Sequence, residues 1–344
     1  MAGFRILVVP AVEGDETIDT TENAIHPPNA TGVVMRTGGE RSIVAHGGRV
    51  WSCQLRGKLK QGKRREQTVT VAGDRVVLGA LQPEHEPPEA VIEEVLPRRN
   101  RISRMGTRRS GGNIEQVLVA NLDQVVVVQS LTEPDPQKGF VDRLLVAAER
   151  FEVAGHLVLN KVDLVTESAL QQDWDYFAGL GYTVLRTSAT SGQGVAELAE
   201  LLRGRTSILM GASGVGKSTL LNTIDPDLAL QVSTVASRTG LGRHTTTSTE
   251  LFPLPQGGFI ADSPGLRGFE PWDVDPEEVR DYFPDFTDGA QECRFRTCLH
   301  DQEPQCGVKK LVGAGKIPDW RYAAYLALVR DLKDRRRSLR KGGW

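Results

Sequence analysis

This chain lacks a surplus of positive charge: 42 lysines and arginines stand against 44 aspartates and glutamates, a net charge of −2. Binding to nucleic acid through the global field is therefore excluded, and an RNA partner has to be met by local basic patches. Cysteine is scarce. Of the four, three lie between Cys293 and Cys306 and Cys53 stands alone; that clustering argues against a disulfide framework and for a metal site. Aromatic residues are few (6%), so an RNA surface on the N-terminal part favours shape readout over base stacking. No apolar run approaches the ~20 residues of a membrane span. The opening stretch Phe4 to Pro10 is too short and too weakly basic for a secretory signal, and acidic residues follow it. No membrane partner and a cytoplasmic location are the expectation.

At 344 residues the chain should hold two or three domains. Residues 1–30 are polar and acidic and read as a disordered extension. Residues 31–97 carry short β-type runs bounded by Gly, Pro or charged turns: Gly32 to Met35, Ser42 to Val44, Val50 to Cys53, Thr68 to Val71, Arg75 to Leu78 and Ala90 to Ile92. About five strands in so short a span suggest a β-barrel of the OB type, although strand spacing alone also admits another small β-domain. Residues 98–116, rich in arginine and poor in apolar residues, read as a mobile basic linker. From 117 to 285 apolar strands alternate with helical patterns, which predicts an α/β domain built on a parallel sheet. Residues 286–344 hold the Cys/His cluster and a helix over Tyr322 to Leu332.

The central domain carries the chemistry. Gly211, Ala212, Ser213, Gly214, Val215, Gly216, Lys217 and Ser218 fit G-x-x-x-x-G-K-[ST], with an apolar strand before and a helix, starting Lys217-Ser218-Thr219, after. Such a loop turns tightly and aims backbone N–H groups at phosphate oxygens, Lys217 reaches the β- and γ-phosphates, and Ser218 offers its hydroxyl to Mg²⁺. Asn160, Lys161, Val162 and Asp163 end another apolar strand, where open α/β sheets bind ligands. A carboxylate at Asp163 accepts from N1–H and the 2-amino group of guanine, donors that adenine lacks. Asn160 holds the loop and the stem of Lys161 packs on the base. Ser188 and Ala189, at the end of the next strand, place a backbone N–H for guanine O6. Asp262 and Gly265 fit D-x-x-G, in which Asp262 holds Mg²⁺ and Gly265 senses the γ-phosphate. Between these lie Thr245, Thr246 and Thr247, one of which is placed to reach Mg²⁺; Thr246 is the candidate. The elements run base loop, phosphate loop, D-x-x-G, a cyclic rotation of the usual order, which preserves a sheet when the original termini are neighbours.

Cys293, Cys298, His300 and Cys306 supply three thiolates and an imidazole, a closed set for one structural Zn²⁺. Cys53 reads as a packed strand thiol. Leu266 follows D-x-x-G where many GTPases place a glutamine that orients water; His244 is the candidate replacement, with Lys217 the other catalytic residue. A phosphate-loop ATPase is disfavoured by Asp163. An RNA-binding module that uses GTP only as a structural ligand remains the alternative.

These motifs resemble the circularly permuted GTPases of the RsgA (YjeQ) family. The matching segments include Cys53 to Lys58, Gly73 to Val76, Ala120 to Gln124, Asn160 to Leu164, Gly214 to Ser218, Gly242 to Thr247, Asp262 to Gly265, Cys293 to Phe295 and Glu303 to Cys306. The resemblance implies an OB domain, a permuted GTPase centre and a zinc-bearing helical C-terminal domain gripping ribosomal RNA. It also implies slow GTP hydrolysis to GDP, stimulated by the small ribosomal subunit during its late maturation, by a monomer. Basic runs at Arg56 to Arg65, Arg98 to Arg109 and Arg330 to Lys341 are the candidate RNA contacts. The chain departs from the family pattern at Ser263, where threonine is commoner, at Gln305, where glycine is usual, and in residues 1–30.

Overall fold

The computed structural model describes residues 30–38, 40–60, 69–107, 113–166, 174–228, 249–262 and 274–341. They fall into two compact units. One comprises the described residues of Met1–Asp123, Ala199–Leu209 and Ile224–Gly265; the other those of Gln124–Leu198, Met210–Thr223 and Leu266–Trp344. Among the described residues no helix is long and apolar enough to cross a membrane.

In the first unit, β1 (Ala30–Gly38), β2 (Arg41–His46), β3 (Arg49–Leu55), β4 (Arg75–Gln82) and β5 (Glu89–Val95) close a barrel in the order β1-β2-β3-β5-β4, the five-stranded OB arrangement. All its pairings are antiparallel except β3 with β5. Strand alternation sends Val34, Val44, Trp51, Cys53, Val76, Leu78, Ala90 and Ile92 inward. Burial pushes the Cys53 thiol up to about 12, so it stays protonated as a packing group.

Two expectations need correcting in this unit. The Thr68 to Val71 run is not a barrel strand. Thr68 lies outside the described residues, Val71 packs with Val117 and Ala120, and Ala72 forms an isolated bridge with Val119. Its amide hydrogen bonding is taken over by a side chain: Val71 N donates to Asp74 Oδ2 at 2.8 Å, and Arg98 grips the same buried carboxylate from Nε at 2.6 Å and Nη2 at 3.0 Å. The arginine-rich segment is more ordered than a mobile linker. β6 (Arg101–Thr107) and β7 (Asn113–Ala120) form an antiparallel hairpin. Two arginines of this segment find partners: Arg101 Nε donates to Glu115 Oε1 at 2.6 Å, and Arg99 Nη2 to Asp123 Oδ1 at 2.7 Å. Cross-strand ion pairing replaces the missing apolar alternation. The same unit holds β11 (Thr206–Met210, its last residue in the other unit), β12 (Glu250–Pro253) and β13 (Phe259–Asp262), in the order β11-β13-β12 with β11 and β13 parallel.

The second unit contains β8 (Gln124–Ser130), β9 (Ala154–Asn160) and β10 (Thr183–Arg186), parallel in the order β10-β9-β8. The seven residues of β8 are all buried, as a strand covered on both faces requires. α1 (Lys138–Arg150) packs on β8 and β9 and buries Val141, Leu144, Leu145 and Ala148. α2 (Asp175–Gly179), α3 (Val195–Leu202, from Ala199 onward in the first unit) and α4 (Lys217–Ile224, its last residue in the first unit) follow. The C-terminal part is helical: α5 (Thr287–Gln291), α6 (Gly307–Gly313) and α7 (Asp319–Lys341) enclose a core of Phe283, Phe286, Val308, Tyr325, Leu328 and Val329, which Val146 of α1 joins.

An ion triad runs through this second core. Arg321 on α7 donates to Asp142 on α1, and to Asp285 from Nε at 3.2 Å and Nη2 at 3.0 Å, with its guanidinium 4.2 Å from the Phe283 ring centroid. Its side chain is 2% exposed. Burial pushes Asp142 up to about 6 against the pull of Arg321. Arg321→Met should lower unfolding stability by about 3–5 kcal/mol, because two buried carboxylates lose their counter-charge. Urea titration checks this, and Arg321→Lys should not restore the midpoint, since a point charge cannot serve two carboxylates in fork geometry.

Candidate nucleotide site and metal centre

The strands β8, β9 and β10 all end toward one set of loops, and three segments meet there. After β9, Asn160 is 2% exposed. Its Nδ2 donates to Val215 O at 2.9 Å and its Oδ1 accepts from Thr187 Oγ1 at 3.2 Å. One amide thus staples the base loop to the phosphate loop across 55 positions of sequence. Two glycines of the phosphate loop are required by close approach. A Cβ on Gly216, at φ +98°, would lie 2.2 Å from Asn160 Nδ2, and one on Gly211 would lie 2.2 Å from Val128 O.

Lys217 opens α4, and its Nζ donates to Gly211 O at 2.9 Å and Ala212 O at 2.8 Å. The ammonium therefore sits over the loop that bears it, within a side-chain rotation of an anion held by the loop's N–H groups. Ser218 and Thr219 are exposed on the first turn, Ser213 and Gly214 are exposed at the loop crest, and Val215 is buried beneath it.

The base loop is held from two directions. Val162 N donates to Thr187 O at 3.2 Å, tying it to the segment that continues into Ser188 and Ala189. Lys161 takes the left-handed conformation at φ +64°, and its Nζ donates to Glu133 O. Asp163 follows on a 3₁₀ turn with its carboxylate exposed. Ser188 is buried; its N–H donates to Gln193 O at 2.9 Å and its Oγ accepts from Ser191 N at 3.1 Å. Sequence reasoning missed Thr187 and Glu133. Thr187 adjoins the Ser188-Ala189 pair, which is the one signal it had; Glu133 acts through its carbonyl, which no side-chain motif marks.

Asp262 is the last residue of β13, paired with Glu250 of β12. His244, Thr246 and Gly265 lie outside the described residues.

In the C-terminal part, the donor atoms of Cys293, Cys298, His300 and Cys306 all lie within 4.8 Å of one another, so the cluster can hold a metal ion. Cys293 Sγ and Cys306 Sγ are 3.8 Å apart; a tetrahedral thiolate site with arms of ~2.3 Å has edges of ~3.8 Å. His300 Nδ1 lies 3.5 Å from Cys293 Sγ and 3.3 Å from Cys306 Sγ, which makes Nδ1 the nitrogen that faces the sulfurs. The surrounding loop is fixed by its backbone. Both Glu303 oxygens accept from main-chain amides, Leu299 N and Asp301 N, each at 2.9 Å, and Tyr325 Oη donates to Leu299 O at 2.8 Å. Gln305 stands at φ +53°, the left-handed region in which glycine is unstrained.

The comparisons agree with this geometry. The family model described as RsgA GTPase matches residues 95–272. A small ribosomal subunit biogenesis GTPase RsgA of Gemmatimonas aurantiaca is 38% identical, covering 89% of this chain and 99% of the relative. The protein of the same name from Moorella thermoacetica is 39% identical with the same coverages. Among solved structures, YjeQ from Thermotoga maritima aligns with a TM-score of 0.69 at 34% identity, over 89% of this chain and 99% of the other. YloQ, described as a circularly permuted GTPase, aligns with a TM-score of 0.68 at 26% identity, over 92% and 99%. The rotated order of base loop and phosphate loop, their contact through Asn160 and these matches lead to one conclusion: the chain belongs to the RsgA family of circularly permuted GTPases.

Proposed function

We propose that this GTPase is stimulated by the small ribosomal subunit, assists its late maturation, and binds rRNA through the domains that flank the catalytic one. The observation that carries the reading is the Asn160 Nδ2 to Val215 O contact, made in a chain whose relatives bear the name small ribosomal subunit biogenesis GTPase. In this reading the N–H groups of Gly211 to Lys217 hold the β-phosphate, Lys217 Nζ turns from Gly211 O and Ala212 O to the β- and γ-phosphates, and Asp163 selects guanine. The Ala189 N–H meets O6. Ser218 and Thr246 offer hydroxyls, and Asp262 a carboxylate, to Mg²⁺, which neutralises phosphate charge when bound. Gly265 senses the γ-phosphate and His244 orients the attacking water. The tetrahedral spacing of three thiols and one imidazole favours Zn²⁺ as the structural ion.

The RNA-binding part of the proposal is narrower than the sequence suggested. Arg98, Arg99 and Arg101 are committed to Asp74, Asp123 and Glu115, and residues 61–65 of the Arg56 to Arg65 run lie outside the described residues, which makes the run along α7 the better supported contact: Arg330 is exposed there. One assay tests the whole reading. GTP turnover is measured alone, with purified small subunits and with large subunits. Only small subunits should stimulate it, by at least about tenfold, and their binding should weaken steeply with salt. His244→Ala should keep GTP binding and lose the stimulation. Equal turnover under all three conditions contradicts the proposal and favours GTP as a structural ligand.

A further inference from the structure

The four residues between Cys293 and Cys298 form an arch in which Arg294, Phe295, Arg296 and Thr297 are all exposed. Among the described residues the large apolar side chains left exposed are Leu81, Leu164 and Phe295, and Phe295, at 42%, is the aromatic one. The Arg294 guanidinium lies over its ring, 5.4 Å from the centroid, a cation–π pair. Neither Arg294 nor Arg296 is in an ion pair with a described residue. The arch itself is held rigidly. Cys298 N donates to Phe295 O at 3.1 Å and Arg294 N to Gln305 O at 3.2 Å. Arg280 Nη1 donates to Arg296 O at 2.7 Å and Cys298 O at 3.0 Å. Each end of the arch is a cysteine of the metal cluster.

A half-exposed phenyl ring on a preordered arch, flanked by two arginines in no ion pair with a described residue, suits a partner that is at once aromatic and anionic. We propose that Phe295 is a stacking platform for an unpaired base of RNA, with Arg294 extending the stack and Arg296 meeting the adjacent phosphate. Every base offers a π-face, so recognition is tolerant of sequence. A protein partner would supply an apolar pocket for the ring and acids for the arginines; the continuous Arg-Phe-Arg order matches the base-phosphate repeat of a single strand better. The inference deepens the rRNA-binding reading above and rests on it. It also relocates base stacking from the barrel, where aromatics are few, to the metal-bound arch.

The test uses the full metal-loaded chain and a short single-stranded RNA bearing 2-aminopurine, whose fluorescence falls on stacking. Wild type should quench it. Phe295→Ala and Phe295→Leu should weaken binding roughly tenfold and lose the quenching, Phe295→Trp should restore both, and bound metal should be unchanged throughout. Small-subunit affinity should fall in parallel. Variants that bind and quench like wild type overturn the stacking role, and unaltered subunit binding would then leave the rRNA reading standing. Loss of subunit affinity without loss of RNA binding assigns the arch to a protein partner and overturns the inference, as does wild type that binds subunits but leaves the RNA unquenched. Wild type that binds neither overturns both.

Discussion

Stripping the metal from the Cys293, Cys298, His300 and Cys306 cluster is expected to unfold the C-terminal helical core. Cys298 and Cys306 are buried members of that core, beside Phe286 and Tyr325, so the ion's ligands and the packing are one structure. Without an ion, burial holds the Cys298 thiol up at about 12. The loop then keeps only its backbone ties to set against the entropy of ordering it. Structural zinc sites contribute about 10–16 kcal/mol near neutral pH, comparable to the entire stability of a typical domain. A chelator should therefore remove the cooperative melting of this region, not merely shift it, and Cys306→Ser should do the same. Because thiols must lose protons to bind, retention of the ion should weaken as pH falls. Circular dichroism after complete metal removal, verified by elemental analysis, checks the claim; an unchanged melting curve would contradict it.

Lys217→Ala should reduce GTP turnover by roughly a hundredfold to a thousandfold, the scale of removing one preorganised charge from a phosphoryl-transfer site. Nζ already sits within 2.9 Å of two carbonyls of the loop that would hold the phosphates, so it reaches the nucleotide by rotation of its own side chain. The fold should survive, since Lys217 starts α4 without being buried. Lys217→Arg should not rescue, because a planar fork replaces a compact ammonium in a loop of fixed width. Single-turnover hydrolysis at saturating GTP separates the loss from weaker binding. Turnover within about threefold of wild type would remove Lys217 from the mechanism.

The parts of the fold legible in the sequence are those governed by one local rule. Val125 to Val128 reads as a covered strand because no polar residue interrupts it, and β8 is buried throughout. The phosphate loop reads from its glycines because their reason is steric, as Gly216 against Asn160 shows. The barrel was legible from turn-bounded β-type runs, five of the six becoming barrel strands; the other failed because Asp74, three residues after Val71, captures the Val71 amide. The β6-β7 hairpin was not legible because ion pairs such as Arg101 with Glu115 stabilise it, and charge carries no strand periodicity. Arg321 was invisible as a core residue, since its partners lie 179 and 36 positions away. In the site, Asn160 was legible from its motif, whereas Glu133 enters by a main-chain carbonyl that no residue type announces.

Calorimetric titration of the wild-type protein with GDP and with ADP addresses the central claim most directly. A base loop and a phosphate loop closing on one purine, with Asp163 facing two guanine donors, predicts a preference for GDP on the order of ten-thousandfold. Asp163→Asn should abolish most of that preference. Equal affinity of the wild-type chain for the two diphosphates would contradict the account.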